Sequence, residues 1–199
     1  MRLDGDMVHV WRLAYQRRHG RDPLLALLAV YLNMPAENVL LLEGAHGRPE
    51  LATANGLSFN WSHCEDLAVV AIARDIVPGI DLERLRARPR ALDIARRYFA
   101  ADEIEMLASV SEDARHEVFL RLWTAKEAVL KALGHGIAFG LHRLSFDVAR
   151  RIPSLRWLDE GNADEWQLRA LDIDTAHLCT LAWHGGPRRI ELHTFEQDN

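Results

Sequence analysis

Two acidic residues in the middle of the chain, Asp81 and Glu83, are the first candidates for chemistry. They alternate with Ile80 and Leu82 in a strand-like run over residues 79–83, so both carboxylates leave the same face of that strand. Carboxylates this close repel one another unless a cation or a basic group lies between them, and oxygen ligands suit Mg²⁺. The spacing alone still favours a simpler interpretation, in which the pair lies on a solvated outer face.

A second group of charged residues lies on the strongest helical pattern of the chain. Advancing about 100° per residue from Phe119, one apolar arc contains Leu122, Trp123, Val129, Leu130 and Leu133. Glu127 and Lys131 are four positions apart and share a face, where a surface ion pair is the plainer interpretation. Lys126 falls inside the apolar arc, so its ammonium must reach solvent, pair with an acid or meet a bound anion.

Several other residues could contact a phosphate. Ser62 and His63 close the segment N-W-S-H, which we predict to lie at a polar bend over residues 60–66, where a turn with satisfied hydrogen bonds is common. Arg48 precedes Pro49 on a stiff turn. A dense basic cluster near the start of the chain contains Arg17, Arg18, His19 and Arg21. Charged clusters are usually solvated, so none of these features assigns a function by itself.

The elements that would position these residues form an α+β pattern with mostly antiparallel sheet. Pro23 and the helix formers in residues 24–32 predict a buried helix, residues 89–108 have a helical pattern, and the long helix can end at Gly134 or Gly136. Strand-like runs bounded by turn formers occur at 57–61, 67–73, 79–83, 144–148, 166–173, 177–184 and 190–195.

Composition excludes several classes of protein. The chain has 199 residues, 49% of them hydrophobic, which is too apolar for disorder and enough for one large or two small domains. A net charge of -5 argues against a general nucleic-acid binder. The most apolar run is far too short for a membrane span, and the N-terminal residues lack the apolar region of a secretory signal. The two cysteines, Cys64 and Cys179, have no metal-binding spacing, so we expect a reduced, cytoplasmic protein.

Three blocks of residues carry more information in their order than any of them alone. They are H-G-R-P with N-W-S-H (46–49 and 60–63), G-I-D-L-E (79–83) and W-T-A-K-E-A-V-L-K (123–131), the last two about 40 residues apart. Together they resemble the 4'-phosphopantetheinyl transferase superfamily, specifically its longer, surfactin-synthetase-activating type. The resemblance covers about residues 17–144.

The resemblance implies a fold and an activity. The expected fold is two similar α+β halves, each with an antiparallel sheet and a long helix, related by a pseudo-twofold axis; we place the halves at 1–92 and 93–199 with a ligand cleft between them. The expected enzyme is a Mg²⁺-dependent transferase. It would move the 4'-phosphopantetheine arm of coenzyme A to a serine of an apo acyl or peptidyl carrier protein, giving holo carrier and 3',5'-ADP. We expect a monomer without nucleic-acid or membrane partners.

The resemblance also implies roles for single residues. Asp81, Glu83 and Glu127 match the carboxylates that hold Mg²⁺ against the pyrophosphate of coenzyme A. Glu127, or a water on the cation, would accept the proton of the carrier serine, and Lys131 would contact the pyrophosphate. The expected coenzyme A contacts are Arg48, Ser62, His63, Lys126 and Lys131, with Arg21 favoured among the N-terminal arginines for the 3'-phosphate.

We also expect a docking surface for the carrier protein, and two rival functions remain open. Carrier proteins are usually acidic, so an acidic enzyme needs a local basic patch. Our candidates are Arg84, Arg86, Arg88 and Arg90, with apolar contacts from Phe99, Met106 and Leu107. The rivals are another metal-dependent phosphoryl-transfer enzyme and a non-catalytic relative that binds coenzyme A or a carrier.

Overall fold

The computed structural model describes residues 2–44, 47–53, 56–135, 140–147 and 153–196, and it confirms the α+β class. His46 and Gly136, which the sequence analysis named, lie outside these residues. The helices are α1 (Asp22–Leu32), α2 (Ala91–Tyr98), α3 (Ala101–Ser109) and α4 (Glu112–Leu133). The strands are β1 (Met7–Ala14), β2 (Leu41–Glu43), β3 (Pro49–Leu51), β4 (Leu57–Cys64), β5 (Leu67–Arg74), β6 (Gly79–Arg84), β7 (Leu144–Asp147), β8 (Ser154–Leu158), β9 (Trp166–Leu171), β10 (His177–His184) and β11 (Arg189–Phe195).

Two larger sheets and two hairpins organise these strands. One sheet has the order β11-β1-β5-β4 and the other the order β6-β10-β9, while β2-β3 and β7-β8 form separate pairs. The β1–β11 pair is parallel and the remaining pairs are antiparallel, as predicted for most of the sheet. Each sheet takes one strand from across residue 92, because β6 joins the C-terminal strands and β11 joins β1. The division at residue 92 and the pseudo-twofold axis stay predictions.

The apolar clusters place the elements in four layers. Leu24, Leu27 and Leu28 of α1 pack on one face of the four-stranded sheet. The other face of that sheet packs on Ile80, Leu181 and neighbouring residues of the three-stranded sheet. Helix α4 covers the far side of the three-stranded sheet, and α2 and α3 pack against α4. Among the described residues, no helix is long and apolar enough to cross a membrane.

Gly79 sets the distance between β6 and α4. A Cβ atom at this position would lie 1.9 Å from the carbonyl oxygen of Ala128 and 2.5 Å from the nitrogen of Ala132. Only glycine permits this approach, since both neighbours are backbone atoms of α4. The glycine of the G-I-D-L-E block therefore brings the next acidic residue of the strand against the helix.

Three element predictions need correction. The segment N-W-S-H does not bend, because β4 continues to Cys64 and the turn follows at Glu65, whose φ is 57°. The helical pattern over 89–108 is two helices, since Phe99 is extended between α2 and α3. Strands β1, β2, β3 and β8 were not among the predicted strands. Helix α4 ends as predicted, with Gly134 in the left-handed region at φ 75°.

Candidate functional site

Asp81 lies on the face of β6 that α4 covers. The predicted geometry is correct, because Ile80 and Leu82 pack into the core on the opposite face, but the solvated outer face is wrong: Asp81 is only 6% exposed. Its Oδ1 accepts hydrogen bonds from Lys131 Nζ at 2.8 Å and Ser62 Oγ at 3.0 Å. Its Oδ2 is buried and has no hydrogen-bond partner among the described residues.

Glu127 reaches the same region from α4. The residue is 9% exposed, and its Oε1 is also buried without a hydrogen-bond partner in the described part of the chain. Burial raises its pKa to about 7, and the negative charges of Asp81 and Glu83 add to this against the opposing charge of Lys131. Near neutral pH the buried carboxyl is therefore held between its charged and neutral forms.

Glu83 is the third carboxylate of the group. Burial and the charge of Asp81 raise its pKa, while Arg88, whose Nη2 is 2.7 Å from Oε2, lowers it. The oxygens of Asp81, Glu83 and Glu127 do not all lie within 4.8 Å of one another. Arg88 holds Glu83, so a cation shared by all three would compete with that arginine.

The carboxylate group fits a hard divalent cation. Buried carboxylate oxygens are normally hydrogen-bonded, and leaving one unpaired costs free energy. Asp81 Oδ2 and Glu127 Oε1 are two such oxygens, on two elements that pack together. Carboxylate oxygen is the donor that Mg²⁺ prefers.

Lys131 provides the positive charge beside these acids. Its Nζ donates to Asp81 Oδ1 at 2.8 Å and to the carbonyl oxygen of Ile80 at 3.0 Å. An ammonium group has three hydrogens, so one remains after these two bonds. About a quarter of the side chain is exposed, so this hydrogen can be offered to an anion.

Lys126 contradicts the prediction that it contacts a bound anion. Its side chain is fully buried, and Nζ lies 2.7 Å from Glu103 Oε2. It also donates to the carbonyl oxygens of Leu141 at 2.8 Å and Leu144 at 2.5 Å. Three acceptors use the three ammonium hydrogens, so Lys126 is a structural residue.

Ser62 and His63 are consecutive residues of β4, so their side chains lie on opposite faces of the strand. The Ser62 hydroxyl donates to Asp81 and accepts from the Leu82 N–H at 3.2 Å, so it positions Asp81 and does not reach outward to a phosphate. His63 lies on the other face, stacked on Tyr15 with ring centroids 4.3 Å apart. Burial and the positive charges of Lys131 and Arg17 lower its pKa. These three basic side chains therefore share one region.

Arg48 points inward. Its Nη1 donates to the carbonyl oxygen of Lys131 at 2.6 Å, and its Nη2 donates to those of Phe59 at 2.9 Å and Pro78 at 3.4 Å. Burial lowers its pKa. The side chain joins the end of α4 to β4 of the four-stranded sheet, and it also lines a cavity of about 290 Å³ with Pro49, Leu51 and Phe59.

The remaining predicted residues differ in exposure. Arg21 is exposed at the start of α1. In the expected basic patch, Arg84 pairs with Glu65 and Arg88 with Glu83, so part of its charge is neutralised within the chain. Two of the expected carrier contacts are wrong, because Phe99 and Leu107 are core residues, whereas Met106 is half-buried.

Sequence reasoning gave no role to Asn60 and Glu103, and it predicted only carrier docking for Arg88. Asn60 accepts the Ile80 N–H through Oδ1 at 2.9 Å, so Asn60 and Ser62 together tie β4 to the free edge of β6. Their alternation in N-W-S-H was a usable signal. Arg88 holds Glu83, and Glu103 neutralises Lys126. Neither arrangement has a local sequence signal, because the partners meet through tertiary structure.

Comparisons with known proteins find one family. The family model described as the 4'-phosphopantetheinyl transferase superfamily matches residues 78–182. The 4'-phosphopantetheinyl transferase HetI of Nostoc is 38% identical over 122 residues, 60% of this chain and 52% of that protein. The human L-aminoadipate-semialdehyde dehydrogenase-phosphopantetheinyl transferase is 30% identical over 182 residues, 82% and 59% of the two chains. The 4'-phosphopantetheinyl transferase psf-1 of Bacillus pumilus is 36% identical over 108 residues, which are 54% of this chain and 45% of that protein. The chain thus spans less than two thirds of the length of these relatives.

Proposed function

The chain belongs to the 4'-phosphopantetheinyl transferase superfamily, and from that premise we propose that it transfers the phosphopantetheine arm of coenzyme A to a serine of an apo acyl or peptidyl carrier protein. The observation that carries the proposal is a pair of buried oxygens, Asp81 Oδ2 and Glu127 Oε1, for which the described residues offer no hydrogen-bond partner. Both belong to the signature blocks, and both lie in the residues that the family model matches.

We propose Mg²⁺ as the cation of this site. Asp81 and Glu127 would hold it, joined by Glu83 when that carboxylate leaves Arg88. When bound, the ion would neutralise negative charge on a pyrophosphate and so stabilise charge that builds up during phosphoryl transfer. Its binding would also relieve the cost of the two unpaired oxygens.

Basic side chains of the chain would bind the phosphates. Lys131 is held by Asp81 and Ile80 with one ammonium hydrogen to spare, so it is oriented before a ligand arrives. His63 and Arg17 extend the positive region outward, because both Lys131 and Arg17 act on the pKa of His63. This favours Arg17 over Arg21 as the N-terminal arginine near a phosphate. Arg48 and its cavity are a candidate contact for the nucleotide part.

Glu127 is suited to proton transfer. In the metal-free protein its pKa of about 7 lies near a neutral working pH, where a general base is most effective. A cation held by Glu127 would lower that pKa, and a water on the cation is then the alternative base. In the proposed reaction the carrier serine oxygen attacks the phosphorus that bears pantetheine, and its proton passes to the base. The bond from that phosphorus to the oxygen of 3',5'-ADP breaks, and 3',5'-ADP leaves as an anion. The chain's contribution is alignment and charge stabilisation.

The biological setting is also proposed. Both cysteines are free in the structure, which supports a reducing compartment such as the cytoplasm. We propose a monomer, since both sheets and α4 of one chain build the site, with an acidic carrier as its protein partner.

The test is to incubate the protein with Mg²⁺, coenzyme A and a panel of apo carriers, and then to weigh each carrier. We expect a gain of about 340 Da, the size of a phosphopantetheine arm, on at least one carrier. Omission of coenzyme A is the matched control. A product that forms without a carrier would support another phosphoryl-transfer activity, and coenzyme A binding with no gain on any carrier would support a non-catalytic relative.

A further inference from the structure

A cluster of imidazoles and a carboxylate lies on the parallel strand pair at the edge of the four-stranded sheet. His9 on β1 is paired in register with Glu191 on β11, and the next residue on that face of β11 is His193, in register with Trp11. The cluster joins two strands from opposite ends of the chain. It shares no residue with the carboxylate group of β6 and α4.

The distances in this cluster are too long for hydrogen bonds and suit a shared ion. His9 Nε2 and His193 Nε2 lie 3.7 Å and 3.6 Å from the same oxygen, Glu191 Oε2. One ligand atom from each residue lies within 4.8 Å of the others, and no other set of three or more His, Cys, Asp or Glu residues in the described ranges does so. Ligands about 2.0–2.1 Å from a tetrahedral zinc ion are separated by about 3.3 Å, close to the spacing of these atoms.

The surroundings of the two imidazoles leave nitrogen lone pairs for an ion. His193 Nε2 is buried and has no hydrogen-bond partner among the described residues. His9 Nδ1 lies 2.6 Å from the hydroxyl oxygen of Tyr31, which also accepts from Trp11 Nε1 at 2.8 Å. In the Nδ1–H tautomer of His9 the Tyr31 oxygen accepts from both neighbours through its two lone pairs, and the Nε2 lone pair of His9 is then available to an ion. Ligating histidines are typically held through their other ring nitrogen in this way.

We propose that His9, Glu191 and His193 form a binding site for a divalent transition metal, with Zn²⁺ as the natural occupant. Two imidazoles and one carboxylate are a zinc ligand set, whereas Mg²⁺ and Ca²⁺ take oxygen ligands. The Glu191 side chain is 48% exposed, so solvent can supply a fourth ligand. The bound ion would fasten the C-terminal strand β11 to β1.

Co²⁺ is a suitable probe, because tetrahedral Co²⁺ with nitrogen ligands absorbs visible light whereas Zn²⁺ is silent. Titration of the full chain with Co²⁺ should give an absorption band that saturates at one equivalent and disappears when Zn²⁺ is added. The band should be lost in His193→Ala. It should persist in His184→Ala, the matched control, because His184 pairs with a single carboxylate, that of Glu165. It should also persist in Asp81→Ala, which removes an oxygen ligand from the separate carboxylate group.

His193 stacks on Trp11, with ring centroids 4.5 Å apart, so His193→Ala could disturb folding. Glu191→Ala changes a half-exposed side chain and supplies the second variant, with circular dichroism as the check on folding. Zn²⁺ at 100 times its Kd should raise the Tm of the unaltered chain by roughly 5–10 °C, and should not raise it in Glu191→Ala. The proposal is overturned if no band appears with the unaltered chain, or if folded His193→Ala and Glu191→Ala keep it.

Discussion

Lys126 and Glu127 are consecutive buried residues of α4, but they lie on two different faces of the helix. The charge of Lys126 is fully hydrogen-bonded within the described residues, and its face is called the satisfied face; the charge of Glu127 is not, and its face is called the unsatisfied face. Lys126 finds one carboxylate and two carbonyl oxygens, so each of its hydrogens is used. Glu127 keeps an oxygen without a hydrogen-bond partner in the described residues. A satisfied buried charge is compatible with a purely structural role, whereas an unsatisfied one indicates a missing ligand.

The carboxylates of the two faces show the same difference. Burial raises the pKa of both Glu103 and Glu127. For Glu103 this is opposed by Lys126 and by the N–H groups of Phe146 and Ala100, which donate to its two oxygens at 2.9 Å and 3.1 Å. For Glu127 the nearby acid Asp81 adds to the effect of burial, and Lys131 alone opposes it. The structural carboxylate of Glu103 is surrounded by hydrogen-bond donors, whereas the carboxylate of Glu127, the candidate base, has other carboxylates near it.

The largest effect should follow removal of a carboxylate from the unsatisfied face. Asp81→Ala and Glu127→Ala should each reduce transfer to an apo carrier by about 1,000-fold or more, because charge stabilisation by a metal is worth several kcal/mol. Carrier mass measured over time checks this, with circular dichroism as the check on folding. Glu165→Ala, which removes an exposed acid, is the control. If either site variant transfers at the unaltered rate, the proposal that Asp81 and Glu127 hold the cation is wrong.

On the satisfied face, loss of one partner should reduce stability and leave the chemistry intact. Lys126→Met leaves Glu103 buried without its cation, and the free energy of unfolding should fall by about 3–5 kcal/mol. Adding Glu103→Leu should restore part of this, because it removes the unpaired buried charge but leaves the N–H groups of Phe146 and Ala100 without their acceptor. Urea unfolding measures both variants. If the double variant is no more stable than Lys126→Met, the pair is not the source of the loss.

Glu127 should make stability depend on pH when no metal is bound. Its folded-state pKa is raised from 4.5 to about 7, so its contribution to stability is complete below pH 4.5 and is lost as pH rises to about 7. Gln cannot ionise, so the free energy of unfolding of Glu127→Gln should rise relative to that of the unaltered chain across this window. Above pH 7 this relative gain should reach about 3 kcal/mol. Urea unfolding in a chelator at several pH values tests this. A difference that stays constant with pH contradicts it.

Arg88 should produce the smallest effect, because it only competes for Glu83. Arg88→Ala frees that carboxylate from a 2.7 Å ion pair, so the Mg²⁺ concentration for half-maximal transfer should fall a few-fold. Arg84→Ala, which frees Glu65 instead, is the matched control. An unchanged or increased Mg²⁺ requirement in Arg88→Ala would exclude this competition.

Local periodicity was enough to predict much of the site. A period of two put Asp81 and Glu83 on one face of β6, and a period of 3.6 put Glu127 and Lys131 on one face of α4. The pattern also detected that Lys126 lies on the apolar face. It could not tell which of three partners the ammonium meets, because Glu103 comes from another helix, 23 residues earlier in the chain.

The errors have a common physical cause. Asn60 and Ser62 are polar residues inside a strand, and they resemble turn formers until β6 lies beside them and takes their hydrogen bonds. The pairing of β6 with β10 and of β11 with β1 joins residues far apart in the chain, so it leaves no local signal. The same pairing brings His9 to Glu191, so that cluster could not be found from spacing along the chain.

The central claim is that the unsatisfied face of α4 holds a divalent cation, and calorimetric titration of Mg²⁺ into the protein with saturating coenzyme A tests it most directly. The unaltered chain should show one binding site, and so should the Lys126→Met, Glu103→Leu variant, whose changes lie on the satisfied face. Glu127→Ala should show none. If folded Glu127→Ala binds Mg²⁺ as tightly as the unaltered chain, the claim is contradicted.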